Sequence, residues 1–167
     1  MNKTIAVCPG SFDPITKGHL DIISRSSKMF DKVIVVVMSN VYKTSSSFSV
    51  EQRKEMIKKS VVGLDNIEVA SYDGLLADFA ALKGASVIVK GLRAMSDFEY
   101  EFQMALANKK LNPELETIFL TTSAENMYLS SSMVKQIASM GGDISDFVPE
   151  AIYRDIIEKL SDKNQEE

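Results

Sequence analysis

The residues of this sequence best suited to chemistry lie between positions 8 and 19, in the stretch Cys-Pro-Gly-Ser-Phe-Asp-Pro-Ile-Thr-Lys-Gly-His. It ends at His19, the only histidine in the sequence. A short apolar run precedes it and apolar residues recur with helical period after it, so we predict a strand-to-helix turn with Gly18 and His19 in the first helical turn. Such a turn points backbone N–H groups and the positive end of the helix dipole outward, which predicts a phosphate site.

Three further places along the chain carry groups that bind anions. They are Lys43, the pair Lys90 and Arg93, and the serine run at 130–132. Gly91 lies between two cations, where a glycine would let the backbone approach a ligand closely. Each group alone is more often a solvated charge or an ordinary helix cap. Together with His19 they predict a site for several phosphate groups.

Strand patterns alternate with helix patterns along the whole chain. The strands are predicted at residues 4–7, 32–38, 67–72, 86–89 and 117–120. Because the connections are short, this alternation predicts an α/β fold, a single-domain, doubly wound, five-stranded parallel sheet. With strand order 3-2-1-4-5, a ligand would bind at the carboxyl ends of strands one and four, where the strand order reverses.

Several residues predict where these elements begin and end. The dipeptide Pro9-Gly10 predicts the end of the first strand. Capping boxes that begin at Ser49 and at Ser96 predict the starts of two helices, and Gly84 predicts the end of another.

Length and composition restrict the class of protein. With 167 residues, 45% of them hydrophobic, we expect one domain over 1–161 and a polar tail at 162–167. The net charge of −4 argues against a nucleic-acid-binding protein. The single cysteine, Cys8, cannot form an internal disulfide, which favours the cytoplasm. We expect Cys8 to be a small residue of the core rather than a reactive thiol. The sequence contains no cluster of cysteine and histidine residues of the kind that binds a metal. The longest apolar run, 33–38, is too short to span a membrane.

Three motifs in order resemble the bacterial phosphopantetheine adenylyltransferase family over nearly the whole chain. They are Pro-Gly-Ser-Phe-Asp-Pro-Ile-Thr-x-Gly-His, Lys-Gly-Leu-Arg-Ala-x-x-Asp-Phe-Glu-Tyr-Glu and Ser-Ser-Ser-x-Val-Lys. The resemblance implies a Rossmann-like nucleotidyltransferase that transfers an adenylyl group from ATP to 4′-phosphopantetheine, with Mg²⁺, giving dephospho-coenzyme A and pyrophosphate. It also implies a homohexamer that is feedback-inhibited by coenzyme A.

The same resemblance implies a role for individual residues. The catalytic residues would be His19, Lys43 and Arg93, and the residues that bind phosphopantetheine would be Ser11, Lys43, Leu76 and Lys90. The residues that bind ATP would be Ser11, Phe12, His19, Gly91, Leu92, Arg93, Glu101, Asn126, Met127, Tyr128, Leu129, Ser130, Ser131 and Ser132. This sequence departs from the usual family pattern at Lys90, where arginine is usual, at Asn126, where tryptophan is frequent, and at Ser11, where threonine is also common.

Two alternatives remain open at this point. A related nucleotidyltransferase that acts on nicotinate mononucleotide or glycerol phosphate would share the fold and the Gly-His pair, although such enzymes usually carry His-x-Gly-His and this sequence has Thr16 at the first position. A non-catalytic nucleotide-binding module of flavodoxin-like architecture would need neither His19 nor a third phosphate-binding place.

Overall fold

The computed structural model describes residues 3–39 and 46–161. It contains one five-stranded sheet in which every paired strand is parallel, with the order β3-β2-β1-β4-β5. The strands are β1 (Ile5–Gly10), β2 (Lys32–Met38), β3 (Ile67–Tyr72), β4 (Val87–Leu92) and β5 (Glu116–Thr121). The predicted fold class and strand order are therefore confirmed.

In the described part of the chain, six α-helices connect and cover these strands. They are α1 (Lys17–Ser27), α2 (Val50–Ser60), α3 (Leu76–Lys83), α4 (Met95–Leu111), α5 (Ser131–Ser139) and α6 (Tyr153–Ser161). Across 3–39 and 46–161, each helix is too short or too polar to cross a bilayer. The predicted tail at 162–167 lies outside the described residues.

Both faces of the sheet are buried, which explains the continuous β-branched sequence of β2. Val33, Val35 and Val37 of β2 pack into a core beneath α1, α2, α5 and α6. Ile34 and Val36 of the same strand pack on the opposite face, against α3. The alternation of the two faces along one strand is what a doubly wound sheet requires.

The first strand is longer than predicted, because it continues through Pro9 and Gly10. It pairs with β2 as far as Gly10 opposite Val37, whereas its pairing with β4 comprises Ala6 with Val87 and Val7 with Ile88. Proline lacks a backbone N–H, so at Pro9 the strand offers no donor for a longer ladder with β4. The two strands separate there, and a cleft opens at their carboxyl ends.

The fourth strand also extends beyond its predicted end at Val89. Pairing with β5 carries it to Leu92, which lies opposite Thr121. The apolar run alone predicted a short β4, and hydrogen bonding to β5 extends the strand beyond that run. The extension places Lys90 and Gly91 within the sheet rather than in a loop.

Of the three helix ends predicted at Ser49, Gly84 and Ser96, the structure confirms the first two. Ser49 and Gln52 form the predicted capping box, with hydrogen bonds of 3.2 and 2.9 Å, and Gly84 ends α3 in the left-handed region at φ 64°. The box predicted at Ser96 is wrong, because α4 begins at Met95 after Ala94 and has no side-chain cap. There the acidic side chain of Asp97 lies in the first helical turn, where a negative charge is favourable.

Cys8 is packed inside the sheet, as predicted for small core filler. Its side chain is 4% exposed, and its Sγ lies 3.8 Å from Oγ of Ser26 on α1. Burial raises the pKa of the thiol to about 11. The thiolate is therefore rare at neutral pH.

Candidate active site

Two adjoining cavities occupy the cleft where β1 and β4 separate. The smaller has a volume of about 410 Å³ and lies between the turn after β1, the end of β4 and the start of α5. The larger, about 1020 Å³, extends between the start of α3 and the side of α4. Both are lined by the same five residues, which are Pro9, Gly10, Ser11, Lys90 and Glu101. Ligands in the two cavities would therefore meet at this shared wall.

His19 lines the smaller cavity, and hydrogen bonds with Thr16 fix the position of its ring. Thr16 caps α1 by accepting the backbone N–H of His19 at Oγ1, and in return the backbone N–H of Thr16 donates to Nδ1 of the ring at 3.0 Å. Since Nδ1 accepts this bond, the neutral ring carries its proton on Nε2. The ring of Phe12 packs edge-on against it, 5.2 Å between centroids.

The environment keeps His19 neutral. Burial, and then the positive charges of Arg93 and Lys90, lower the pKa of the imidazole from 6.5 to about 4. At neutral pH the ring can therefore donate one hydrogen bond from Nε2 without carrying a charge. A neutral donor next to two cations suits the binding of a phosphate oxygen.

The turn that follows β1 is strained and tightly supported. Phe12 has φ 47°, a left-handed conformation that is rare for a bulky residue. A Cβ on Gly10 would lie 2.9 Å from the Phe12 ring, so glycine is required there. Arg53 of α2 donates to the carbonyl of Ser11 at 2.9 Å, and Ser131 of α5 donates from Oγ to the carbonyl of Pro14 at 2.7 Å.

The end of β4 supplies two cations, each held by a carboxylate of α4. Lys90 pairs with Glu101 at 3.1 Å. Arg93 pairs with Asp97 at 3.2 Å and also donates to the carbonyl of Leu129 at 2.9 Å. Arg93 thereby connects the end of β4 to the segment before α5.

Close packing against α1 explains why residue 91 is a glycine, and the sequence did not suggest this reason. A Cβ at this position would lie 3.0 Å from Cγ1 of Ile22, so a side chain would press against α1. The glycine allows α1 to approach β4 closely. Its backbone also lines the smaller cavity, between the two cations.

The start of α5 completes the smaller cavity. Ser130 is the N-cap residue, and its Oγ accepts the backbone N–H of Met133 at 3.1 Å. Ser131 and Ser132, in the first turn, line the cavity. Asn126 precedes them and is fixed by a 2.7 Å bond from its amide to Oγ of Ser123. A helix N-terminus with serine hydroxyls at a cavity wall is suited to phosphate groups.

The larger cavity has a different character. Its walls include Met38, Leu75, Leu76, Met104 and Leu111. Polar groups enter at separate points along it, from Asp73, Tyr100, Asn108 and Thr117. A large, mostly apolar cavity with scattered polar groups suits a flexible, mainly apolar ligand that carries amides or hydroxyls.

Most of the site residues predicted from the sequence come together here. The smaller cavity is lined by Ser11, Phe12, His19, Gly91, Arg93, Glu101, Asn126, Leu129, Ser130, Ser131 and Ser132, and the larger by Ser11, Leu76 and Lys90. Leu92, Met127 and Tyr128 line neither cavity, and the last two are more than half exposed. Lys43 lies outside the described residues.

Sequence reasoning missed other residues of the site. Asp97 and Thr122 line the smaller cavity, and Asn108 the larger. Arg93 and Asp97 are four residues apart in the sequence and have opposite charges, which was a usable signal for their ion pair. No sequence signal pointed to Arg53 or Lys135, because the residues that they contact, Ser11 and Asp13, lie 42 and 122 residues away in the chain.

Comparison with known proteins agrees with this geometry. A family model described as cytidylyltransferase-like matches residues 7–137. The chain is 55% identical over 163 residues to the phosphopantetheine adenylyltransferase of Finegoldia magna, covering 98% of this chain and 100% of that protein. It is 56% identical over 159 residues to that of Clostridium tetani, covering 95% and 99%.

Solved structures resemble the chain in fold. A bifunctional NMN adenylyltransferase/ADP ribose pyrophosphatase from Francisella tularensis has a TM-score of 0.72 and 19% identity, over 98% of this chain and 54% of that chain. Plasmodium falciparum nicotinic acid mononucleotide adenylyltransferase has a TM-score of 0.68 and 15% identity, over 98% and 96%.

Proposed function

Because the chain belongs to the cytidylyltransferase-like family and, within it, to the phosphopantetheine adenylyltransferases, we propose that it transfers the adenylyl group of ATP to 4′-phosphopantetheine. The products are dephospho-coenzyme A and pyrophosphate, in the synthesis of coenzyme A. The observation that carries the proposal is the shared wall of the two cavities. It joins a smaller cavity rich in anion-binding groups to a larger, mostly apolar one.

The reaction needs no nucleophile from the protein. A phosphate oxygen of phosphopantetheine attacks the α-phosphorus of ATP in line, a new P–O bond forms, and the bond from the α-phosphorus to the bridging oxygen breaks as pyrophosphate leaves. The protein must hold two anions together and stabilise the charge that develops between them. His19 would donate from Nε2 to an α-phosphate oxygen. Lys43, by resemblance to the family, would bind the phosphates in transfer.

The nucleotide would occupy the smaller cavity. Its β- and γ-phosphates would lie at the start of α5, where Ser130, Ser131 and Ser132 offer hydroxyl and backbone N–H groups, with Arg93 beside them. Phe12, Gly91, Glu101, Asn126 and Leu129 would enclose the rest of the nucleotide. Leu92, Met127 and Tyr128, which line neither cavity, could reach the nucleotide through their backbone.

The acceptor would occupy the larger cavity. Its pantetheine arm would run past Leu76 and its phosphate would reach the shared wall at Ser11 and Lys90. Coenzyme A carries the same arm, so its inhibitory binding would use this cavity too. Lysine at position 90 offers a single charged nitrogen where an arginine would offer a two-pronged donor.

Magnesium would enter with ATP as part of the substrate. Mg²⁺ prefers oxygen ligands and keeps several waters, so the triphosphate and water can supply most of its coordination. Within 3–39 and 46–161, Asp97 and Glu101 are the carboxylates that line the smaller cavity, and both are paired with cations. This donor set fits an ion carried by the nucleotide.

We further propose a homohexamer that works in the cytoplasm. Of the exposed large apolar side chains of α4, Tyr100, Met104 and Leu111 line the larger cavity, whereas Met95, Phe102 and Leu106 recur with helical spacing on another face of the helix. Exposed apolar side chains grouped on one face are commonly covered by another subunit. Light scattering at micromolar concentration should give about six times the 18.5 kDa of one chain. A mass of 18.5 kDa would refute the hexamer.

One assay tests the proposed function against its nearest alternative. Purified protein with ATP and Mg²⁺ is offered phosphopantetheine, nicotinate mononucleotide or glycerol phosphate in turn, and pyrophosphate release is measured. We expect release with phosphopantetheine alone. Release with nicotinate mononucleotide or glycerol phosphate instead would assign the chain to the alternative chemistry.

A further inference from the structure

A partly buried ion pair, between Asp13 and Lys135, lies behind the site without lining either cavity. The carboxylate of Asp13, a residue that is 7% exposed, accepts Nζ of Lys135 at 2.8 Å. It also accepts the backbone N–H groups of Ser47 at 3.1 Å and Phe48 at 2.9 Å. Burial alone would raise the pKa of Asp13, but these hydrogen bonds hold it below its ordinary value. The carboxylate of Asp13 is therefore ionised at neutral pH.

The pair connects two parts of the site that are distant in sequence. Asp13 belongs to the strained turn that begins with Ser11 and Phe12, whereas Lys135 lies on α5, one turn after Ser131. The bond from Ser131 Oγ to the carbonyl of Pro14 forms a second link between the same two segments. Two independent contacts thus set the distance between the turn and the start of α5.

Arg53 supports the same turn from the opposite side. It is 6% exposed, and its guanidinium donates to the carbonyls of Ser11 at 2.9 Å and Ser49 at 3.4 Å. The turn is therefore held between α2 and α5. A strained backbone such as that of Phe12 persists only where the surroundings leave it no alternative.

We propose that Lys135 and Asp13 are positioning residues, which hold the Ser11 turn at a fixed distance from the start of α5. This inference rests on the proposed function. In that reaction the turn faces the acceptor phosphate and the start of α5 faces the nucleotide phosphates, so their separation sets the in-line distance between oxygen and phosphorus. Neither residue touches a substrate, and both act through the backbone of the turn.

A purely stabilising role explains this pair less well. The Asp13 carboxylate is buried and the Lys135 side chain is a quarter exposed, so the pair loses hydration on folding, and replacing such pairs with apolar residues is often neutral for stability. A directional contact, in contrast, fixes the geometry of the backbone that it joins. Geometry matters here because a displacement of about 1 Å in a reacting group can cost roughly a hundredfold in rate.

The variant Lys135→Met tests the proposal. It removes the charge on Lys135 while keeping a long apolar side chain. We expect kcat to fall by about tenfold or more, with KM for ATP and for phosphopantetheine changed by less than about threefold. Lys135→Arg should regain most of the activity, since it restores a cation that can donate to Asp13. A control variant, Lys59→Met, breaks an exposed ion pair with Asp155 and should leave kcat unchanged.

Should Lys135→Met fold poorly, the double variant Asp13→Asn with Lys135→Met removes both charges and leaves none buried alone. It should fold and still show the lowered kcat. The proposal is overturned if either folded variant turns over within twofold of the wild type.

A crystal structure of Lys135→Met supplies a readout that needs no acceptor. We expect Ser11 to shift relative to Ser131, and an unshifted turn would also overturn the proposal. If the wild type releases no pyrophosphate with phosphopantetheine, it is the proposed function that fails, and kcat is then compared with whichever acceptor the wild type uses.

Discussion

The depressed pKa of His19 makes folding stability depend on pH in a window where few other groups titrate. In the folded protein the pKa is about 4, against 6.5 for an ordinary histidine. Between these values the unfolded chain binds a proton that the folded chain excludes, so the free energy of unfolding falls as the pH falls. The stability is fully present above pH 6.5, and the loss is complete near pH 4.

The size of the effect follows from the two pKa values. At pH 5 the unfolded histidine is almost fully protonated and the folded one mostly neutral, which lowers the free energy of unfolding by about 2 kcal/mol relative to pH 7.5. Asp13 and Glu68 have lowered pKa values in the folded state, so their stabilisation is lost as the pH falls below their ordinary values of 3.8 and 4.5. His19 is the only histidine, and it therefore dominates the loss at pH 5.

Urea denaturation at pH 7.5 and at pH 5 measures this difference. His19→Asn is the matched control, because its side-chain oxygen can still accept the Thr16 backbone N–H but cannot titrate. We expect the wild type to lose about 2 kcal/mol between the two pH values and the variant to lose less than about 0.5 kcal/mol. An NMR titration of the single imidazole should give a midpoint near 4, rising when ATP binds because phosphate stabilises the cation.

A midpoint near 6.5 in the free protein would refute this reasoning. It would mean that the ring is solvated and that Nδ1 does not accept the Thr16 N–H. Equal losses of stability in the wild type and His19→Asn would lead to the same conclusion, since the pH dependence would then arise elsewhere.

Substitutions at three residues separate the roles proposed for the site. His19→Ala should keep ATP binding but lower kcat by about a hundredfold or more, measured at pH 7.5, because one transition-state donor is lost; near-normal turnover would remove His19 from the mechanism. Lys90→Ala should raise KM for phosphopantetheine far more than KM for ATP, whereas Lys90→Arg should preserve both if it can still pair with Glu101; unchanged constants in both variants would show that Lys90 is no ligand. Arg93→Ala should weaken a non-hydrolysable ATP analogue in calorimetry, and an unchanged affinity would place Arg93 outside the nucleotide site.

The fold could be predicted from sequence where one physical signal dominated. The unbroken β-branched run of β2 predicted its bounds correctly, because a strand buried on both faces leaves no other pattern. The strand order 3-2-1-4-5 was assumed rather than derived; it was supported because it brings the residues around His19 and Lys90 together at the carboxyl ends of neighbouring strands, and the structure confirms it. The end of β1 was mispredicted, because Pro9 is compatible with pairing on one side of a strand and not on the other.

The site was predictable only where its residues are close in sequence or carry a motif. His19 was predicted in the first helical turn from the local pattern, and it is the third residue of α1 in the structure. Lys135 and Asp13 meet across 122 residues, and a lysine on a helix has no local feature that distinguishes a buried position from a solvated one. Contacts of this kind depend on how α5 packs, which is a property of the whole core.

The acceptor proposed for this enzyme itself ends in a thiol, so the state of Cys8 bears on the enzyme's resistance to oxidation. With a pKa of about 11, roughly one Cys8 side chain in three thousand is ionised at pH 7.5. Thiol–disulfide exchange requires an accessible thiolate, and Cys8 is both protonated and buried. An oxidised pantetheine disulfide that enters the cleft would therefore find no partner for exchange at this cysteine. The enzyme can handle a redox-active substrate without becoming covalently trapped by its oxidised form at Cys8.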